Sequence, residues 1–495
     1  MYHYKPIDGY FGDPIPFFWD GIYHIFYLKA PLEPKRHGAN FTPYAHISTR
    51  DFIHWKEHPI AIRPSDDGPD AISCWTGCIV EKDGAFYLFY TGHNTNDPNI
   101  PQSICLATSK DLDHWEKYPH NPISTPDPKI FNIHHWRDPF VFWSEKENCY
   151  LMSITTIRKD GGFWKGGALA IARSKDLLNW KPGEIFYNPG NHGYPECSDI
   201  FKIGNYWYLV CSIFDKTCYR IGETPLGPWR VGKTDSFDGV MNYAAKTISD
   251  GKNRYILGWI RTKENRKDEG KWEWAGHLSF PRQLVQDEDG TLYAKLPDQF
   301  NQLKGKQYFD FENDKDFKPI FGNWSNNQNG LKTDSELIYG EVVFPENYEQ
   351  FDATFEFKTM NETKCVGIIF QANPEDDFPG YEIAIDLKHQ MLIFRKHTKR
   401  FEYYTFQNIS THQKEPLHLR VIVEKGIIEA FLNNKFSISS SFYTFSKNSN
   451  ISFFVEEGSV ILKKVKIYEL ENSENLKPSV TQNPPVQRTK SLSNT

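Results

Sequence analysis

DGIYHIFYL (residues 20–28), DGAFYLFYTG (83–92), KENCYLMSI (146–154), GNYWYLVCS (204–212) and KNRYILGWI (252–260) are five versions of one strand-like phrase. Tyr23, Phe86, Tyr150, Trp207 and Tyr255 are its equivalent marker aromatics. Their spacing, roughly 50 to 65 residues, belongs to radial β-repeats rather than helical solenoids, and predicts a five-bladed β-propeller. A second phrase runs out of phase with the first: STRDFIHW (48–55), TSKDLDHW (108–115) and RSKDLLNW (173–180), with a degenerate copy ending at Trp229. Ser or Thr, then Asp, then Trp reads as a turn leading into a packed aromatic, so Asp51, Asp111 and Asp176 are expected to be structural. Sheets arranged about an axis hide most of their edges and leave a central funnel.

Three acids stand at nearly equal distances ahead of the marker aromatics of the first, third and fourth units: Asp13 before Tyr23, Asp138 before Tyr150 and Glu196 before Trp207. The repeat predicts that they share one register and converge on the axis. Like charges in a restricted funnel push at least one carboxyl toward its protonated form, and a protonated carboxyl beside ionised ones equips acid-assisted glycosidic cleavage. A calcium site is the competing chemistry of such a cluster. Arg137, next to Asp138, argues against a purely metal role because its guanidinium repels a nearby cation.

At 495 residues the chain is long enough for two domains. The propeller phrases stop after Pro281 and Arg282, giving a propeller over residues 1–290 and a linker over 291–305. Residues 306–470 hold alternating segments such as GEVVF (340–344), GIIFQA (367–372), YEIAIDL (381–387) and VILKKVKIYEL (460–470), separated by Gly, Asn, Asp and Pro clusters. This is the pattern of an antiparallel β-sandwich, either a stabilising module or a sugar-binding one. Residues 471–495 are polar and Pro-rich and are expected to be disordered.

The formal charge of −6 carries no basic stripe, which makes nucleic acid and anionic membranes poor partners. No apolar run approaches the roughly 18 residues that span a bilayer. MYHYKPIDGY lacks the apolar core of a secretion signal, so a cytoplasmic location is expected. The eight Cys show no C-x-x-C pair and are expected to be buried free thiols. Aromatic residues make up 16% of the chain, enough both to fill blades and to stack on sugars.

In order along the chain, Tyr44 to Trp55 (YAHISTRDFIHW) resembles the W-G-H-A-x-S-x-D-L-x-H-W stretch of the glycoside hydrolase family 32 enzymes, the β-fructofuranosidases. Trp75-Thr76-Gly77-Cys78-Ile79 is similar to their W/F-S-G-S-A segment. Gln102 to Ile123, Arg137-Asp138-Pro139, Glu196-Cys197-Ser198-Asp199, Phe237-Asp238 with Tyr243-Ala244-Ala245, Gly258-Trp259-Ile260 and Leu278 to Leu284 follow in family order. In the sandwich, Ile428 to Asn433 resembles the E-x-F-x-N strand.

The resemblance implies that Asp13 is a nucleophile, Glu196 the general acid/base and Asp138 a transition-state stabiliser. It also implies that Arg137 orients Asp138 and touches the sugar, and that Trp75, Cys197 and Tyr243 contribute to the substrate site, a structural aromatic being the competing reading for Trp75 and Tyr243. Asp13 would need donors from the adjacent backbone to stay ionised, and Glu196 a less polar setting. No cofactor or metal enters this mechanism.

The family signature W-M-N-D-P-N-G is reduced here to Phe11-Gly12-Asp13-Pro14-Ile15-Pro16, and Leu28 stands where the family has Gln. Gly12, Ile15 and Leu28 are therefore expected to change which sugar is read. The leading expectation is a retaining furanosidase acting on a terminal β-fructofuranosyl or related unit by hydrolysis or transfer. The rivals are an inverting propeller furanosidase, with Asp13 as base, and a non-catalytic carbohydrate-binding protein.

Overall fold

The computed structural model describes residues 1–476 except 33–40, 162–165, 191–192, 315, 329, 334–337, 345–347, 361, 373–379, 398–400, 412–414, 447–448 and 474. Most of the expected disordered tail therefore lies outside the described residues.

The chain is almost entirely β. A first meander contains Gly9–Trp19 (β1), Ile22–Pro31 (β2), Tyr44–Thr49 (β3) and Lys56–Glu57 (β4). A second contains Ser73–Lys82 (β5), Ala85–His93 (β6), Gln102–Ser109 (β7) and Trp115–Lys117 (β8). Phe131–Ser144 (β9), Cys149–Arg158 (β10), Gly167–Ser174 (β11) and Ile185–Tyr187 (β12) form the third, and Glu196–Ile203 (β13), Tyr206–Ile213 (β14), Lys216–Gly222 (β15) and Trp229–Arg230 (β16) the fourth. The strands Asn242–Ser249 (β17), Arg254–Lys263 (β18), Trp272–Leu278 (β19), Arg282–Gln286 (β20) and Leu292–Lys295 (β21) follow. They join the first meander in one nine-stranded sheet, because β19 pairs with both β18 and β1. Part of the expected linker is thus a strand, β21, hydrogen-bonded to β20.

Each quoted phrase forms the second strand of its unit. Asp20-Gly21 and Asp83-Gly84 all have positive φ, the conformation of a two-residue hairpin that favours Asp-Gly. These second strands are buried along most of their length because neighbouring sheets cover both faces. β1 packs against β5, β5 against β9, β9 against β13, β13 against β17, and β17 back against β1, so these five strands close a ring.

The Asp phrases follow the third strands and are turns, as expected. The hydroxyls of Thr49, Ser109 and Ser174 accept from the backbone N–H of Phe52, Leu112 and Leu177, each of which has positive φ. Asp51, Asp111 and Asp176 accept from the next two N–H groups along. Trp115 and Trp180 then donate their indole N–H to the carbonyls of Leu112 and Leu177. The residue order of the phrase is therefore a hydrogen-bond recipe for one turn.

The C-terminal strands form an eight-stranded and a seven-stranded sheet, which bury a shared core including Phe355, Val366, Ile383, Phe394, Val421, Phe453 and Val465. A polar bolt joins this sandwich to the ring. Arg282, fully buried, reaches Asp238 and Glu429, and His3 lies between Glu424 at 2.8 Å and Glu429 at 3.1 Å. Ser439 donates its backbone N–H to Asp238 at 2.9 Å. Glu429, picked out in the sequence by the E-x-F-x-N likeness, is thus an interdomain residue. All eight cysteines are free and buried. No helix among the described residues is long and apolar enough to cross a membrane.

Candidate active site

The five ring strands each carry a register irregularity at a corresponding place: between Phe11 and Pro14, Trp75 and Gly77, Arg137 and Phe140, Glu196 and Asp199, and Tyr243 and Lys246. A β-bulge bends its strand and re-aims the extra residue. The backbone takes positive φ at Asp138, Cys197 and Ala244, the first extra residues of the last three bulges.

This corrects the expectation that the three acids share one register. Glu196 precedes its bulge, Asp138 is the first bulge residue, and Asp13 follows Gly12 as the second. The spacings of Asp13 to Tyr23, Asp138 to Tyr150 and Glu196 to Trp207 do not follow this stagger, because the lengths of the intervening hairpins also enter them. The position before the bulge is occupied instead by Trp75, Arg137, Glu196 and Tyr243, so three of the expected sugar-contact residues are register partners of the proton donor candidate.

The acids do meet. The Cys197 backbone N–H donates to Asp138 Oδ2 at 3.0 Å, and the Cys197 sulfur lies 3.8 Å from Asp13 Oδ2 and 4.0 Å from Asp138 Oδ2. Arg137 Nη2 donates to Glu196 Oε1 at 2.8 Å, while its Nε is 3.8 Å from Asp138 Oδ2. The Tyr243 hydroxyl donates to Glu196 Oε2 at 2.5 Å. One cysteine and one arginine therefore connect all three carboxyl groups.

Asp13 is half-buried and uses both oxygens: Oδ2 accepts from the Thr76 hydroxyl at 2.5 Å, and Oδ1 from the Trp259 indole N–H at 2.8 Å. The donors expected from the adjacent backbone are side chains of two other strands, because the bulge turns the carboxylate off its own strand. Burial raises the Asp13 pKa; the Thr76 and Trp259 hydrogen bonds oppose that rise, Glu196 adds to it and Lys246 opposes it. Asp138, 4% exposed, is pushed up to about 6, chiefly by burial, with Arg137 pulling down and Glu196 pushing up. Glu196 sits at the funnel with two donors, which corrects the expectation of a less polar setting.

Arg137 is fixed from behind. It donates to His135 Nδ1 at 2.8 Å, and burial together with the neighbouring Arg137 charge depresses the His135 pKa to about 3. His135 is therefore a neutral acceptor. Trp75 stacks on His93 with ring centroids 3.9 Å apart, which orients its indole as a rigid plate.

The three positions expected to alter the sugar separate. Ile15 and Leu28 are each 1% exposed and belong to an apolar core with Phe26, Leu88 and Tyr90, so their side chains do not line the funnel. Gly12 does bear on the site: a Cβ there would fall 2.6 Å from the Trp274 ring and 2.9 Å from the Leu28 carbonyl oxygen. The Trp274 indole fills the place of a side chain at position 12 and packs edge-on to Trp259, centroids 5.9 Å apart. Sequence reasoning gave no role to Thr76, Trp259, Trp274 or Lys246. Thr76 and Trp259 stood inside quoted motifs, Thr76 within a bulge and Trp259 opposite one, and that placement is the signal that would have found them.

Comparisons with known proteins agree with this geometry. The profile of the glycosyl hydrolases family 32 N-terminal domain matches residues 3–296, and that of the family 32 C-terminal domain matches residues 321–469. The chain is 24% identical to sucrose-6-phosphate hydrolase of Escherichia coli, covering 95% of this chain and 94% of that protein. It is 26% identical to the β-fructofuranosidase insoluble isoenzyme CWINV5 of Arabidopsis thaliana, covering 87% and 84%. Among solved structures, fructan 1-exohydrolase IIa from Cichorium intybus in complex with 1-kestose superposes with a TM-score of 0.74 at 19% identity, covering 95% of this chain and 97% of that one. At that identity the superposition shows the fold alone, a β-propeller followed by a β-sandwich. With both domain profiles matched in order and the carboxyl groups gathered in one funnel, this chain belongs to the glycosyl hydrolases family 32.

Proposed function

We propose that this protein is a retaining β-fructofuranosidase that removes terminal fructofuranosyl units from oligo- or polysaccharides. The observation that carries the reading is the gathering of Asp13, Asp138 and Glu196 by Cys197 and Arg137. Sucrose-6-phosphate hydrolases, β-fructofuranosidases, a raffinose invertase and a fructan 6-exohydrolase among the relatives support the substrate class.

Asp13 attacks the anomeric carbon. Its two side-chain donors favour the ionised form without blocking a reaction at the funnel face. Glu196 protonates the departing oxygen and then takes a proton from water, so configuration is retained. Tyr243 suits this exchange because its hydroxyl can donate to the carboxylate or accept from the acid, whereas Arg137 only donates. When Glu196 is protonated, the Arg137 guanidinium is left to hold the charge of Asp138, which grips sugar hydroxyls. Trp75 and Trp274 supply flat faces for the ring. With an indole over Gly12, the subsite reads its sugar more by shape and stacking than an Asn at that position would.

The five ring strands and their closed contact order support a five-bladed propeller whose last sheet runs on through β21 to residue 295, ahead of a short connector and the sandwich that ends at residue 470. Proton NMR of the first-formed sugar, with sucrose, 1-kestose and levan as substrates, tests the reading. Initial release of β-fructofuranose is expected. First appearance of the opposite anomer removes Asp13 as nucleophile and selects the inverting alternative, and no turnover on any furanoside selects the carbohydrate-binding one.

A further inference from the structure

We propose, on the reading of the funnel as a fructofuranosidase site, that Thr91, Thr155 and Ser212 are positioning residues for the reaction, each holding the bulge of the next ring strand and, through it, a group of the funnel. The three hydroxyls stand at one place in the repeat, five residues beyond the marker aromatics Phe86, Tyr150 and Trp207. Across the sheet, Thr91 is the Cα partner of Trp75, Thr155 of Arg137 and Ser212 of Glu196. Each therefore sits opposite the last residue before the bulge of its own unit. All three are fully buried.

A bulge turns backbone groups off the ladder, and a buried N–H or C=O without a partner is costly. The hydroxyls supply the missing partners. Thr91 Oγ1 accepts from the Asp138 N–H at 2.8 Å and donates to the Thr76 carbonyl at 3.0 Å. Asp138 is the first bulge residue of β9 and Thr76 the extra residue of β5, and the Thr76 hydroxyl holds Asp13. One hydroxyl thus fixes the spacing between the stabiliser and the nucleophile. Thr155 Oγ1 donates at 2.9 Å to the carbonyl of Pro195, the residue ahead of Glu196. The third link has two members: Ser212 Oγ lies 3.0 Å from Thr217 Oγ1, which accepts at 3.2 Å from the Ala245 N–H in the bulge after Tyr243. The device runs from the second unit to the third, the third to the fourth and the fourth to the fifth, reaching in turn Asp138, Glu196 and Tyr243, the donor to Glu196.

Thr91 must donate and accept at once, which a hydroxyl does and the isosteric Val side chain does not. Leu28 and Ile260 hold the same place in the first and fifth units and offer no hydroxyl. The β5 bulge, which follows Leu28, draws instead on Thr91 of its own unit. Thr156 gives the contrast. It adjoins Thr155 in β10 and is equally buried, yet its hydroxyl makes no hydrogen bond among the described residues.

The test is steady-state kinetics of Thr91→Val, Thr155→Val and Ser212→Ala on whichever of sucrose, 1-kestose and levan the wild type turns over fastest, with folding checked by circular dichroism and thermal unfolding. Thr91→Val and Thr155→Val should lower kcat and kcat/KM together by about 10- to 100-fold with KM little changed, and Ser212→Ala should show a smaller loss of the same kind. Thr91→Ser and Thr155→Ser should recover most of the activity, and Thr156→Val should keep all of it. The two threonines act through different groups, a contrast that general loosening of the fold does not produce. On an activated furanoside whose leaving group needs no proton, kcat/KM of Thr155→Val should return close to wild type, while the Thr91→Val loss persists. Full kcat in folded Thr91→Val and Thr155→Val, an equal loss in Thr156→Val, or the same Thr155→Val loss with both kinds of leaving group overturns the proposal. If Thr91→Val fails to fold, Thr155→Val carries the same test. A wild type that turns over none of these furanosides removes the fructofuranosidase reading itself, and the positioning role with it.

Discussion

Asp138→Asn should abolish turnover and stabilise the protein at neutral pH, both for one reason. The Asp138 pKa rises from 3.8 to about 6 on folding, so folding opposes its ionisation. Between these values the folded chain holds a proton that the unfolded chain has lost, and stability falls as pH rises through the folded value. At about 1.4 kcal/mol per pH unit, the cost of the ionised carboxylate above pH 6 is about 3 kcal/mol. Asparagine keeps an oxygen for the Cys197 N–H and carries no charge to bury. The variant should therefore be about 3 kcal/mol more stable than wild type at pH 7.5, and the gap should close toward pH 4. Urea unfolding of both proteins from pH 4 to pH 8, followed by tryptophan fluorescence, measures it. A variant that is no more stable at pH 7.5, or a gain that is flat across the range, would refute the argument that buried charge is stored at this site. The magnitude rests on Arg137 only partly offsetting burial, so Arg137→Ala in the same series should cost stability at pH 7.5.

Asp13→Ala should eliminate turnover without unfolding the chain, and added azide should restore release of a fructosyl adduct from an activated furanoside; a wild-type rate in that variant removes the mechanism. Glu196→Gln should lower kcat by about 10²- to 10⁴-fold on sucrose and much less on a substrate whose leaving group needs no proton, a contrast that steady-state kinetics on both reads directly. Thr76→Val removes a donor to the Asp13 carboxylate worth about 1.5 to 3 kcal/mol. The acidic limb of kcat/KM should move up by about one to two pH units, and an unmoved limb would mean that it does not report Asp13. Glu429→Ala leaves Arg282 and His3 facing fewer carboxylates in a dry interface and should cost about 3 to 5 kcal/mol, measured by chemical denaturation.

The all-β class was legible because the strand phrase and the turn phrase are each complete local instructions. Asp-Gly at 20–21 and 83–84 dictates a hairpin, and the Ser or Thr before Asp51, Asp111 and Asp176 dictates a turn through hydrogen bonds between near neighbours in the chain. Fusion of β17–β21 with the first meander was not legible. It depends on β19 pairing with β1 from the opposite end of the propeller sequence, and no local pattern records which distant edge a strand will find. The strand β21 was read as connector for the same reason: so short a segment acquires its identity from its partner β20.

The acids were legible as a set, and their positions were not. A bulge is invisible to periodicity because it inserts residues without changing the strands on either side. Here consecutive bulge positions have been used in different strands, with Glu196 before the kink, Asp138 on it and Asp13 after it. This stagger has a chemical use. Carboxylates at one register on a closed ring would all face the axis at one depth, and their mutual repulsion would raise every pKa together. Besides the Cys197 sulfur and the Arg137 guanidinium that they share, staggering gives each carboxyl donors of its own: Thr76 and Trp259 for Asp13, the Cys197 backbone N–H for Asp138, and Tyr243 for Glu196. Three like charges can then differ in protonation within one funnel, as nucleophile, stabiliser and acid require. The altered residues obey the same geometry. Ile15 and Leu28 fall on the core side of their strands, so their departure from the family signature is a matter of packing, while Gly12, next to the kink, admits the Trp274 indole and changes the surface the sugar meets.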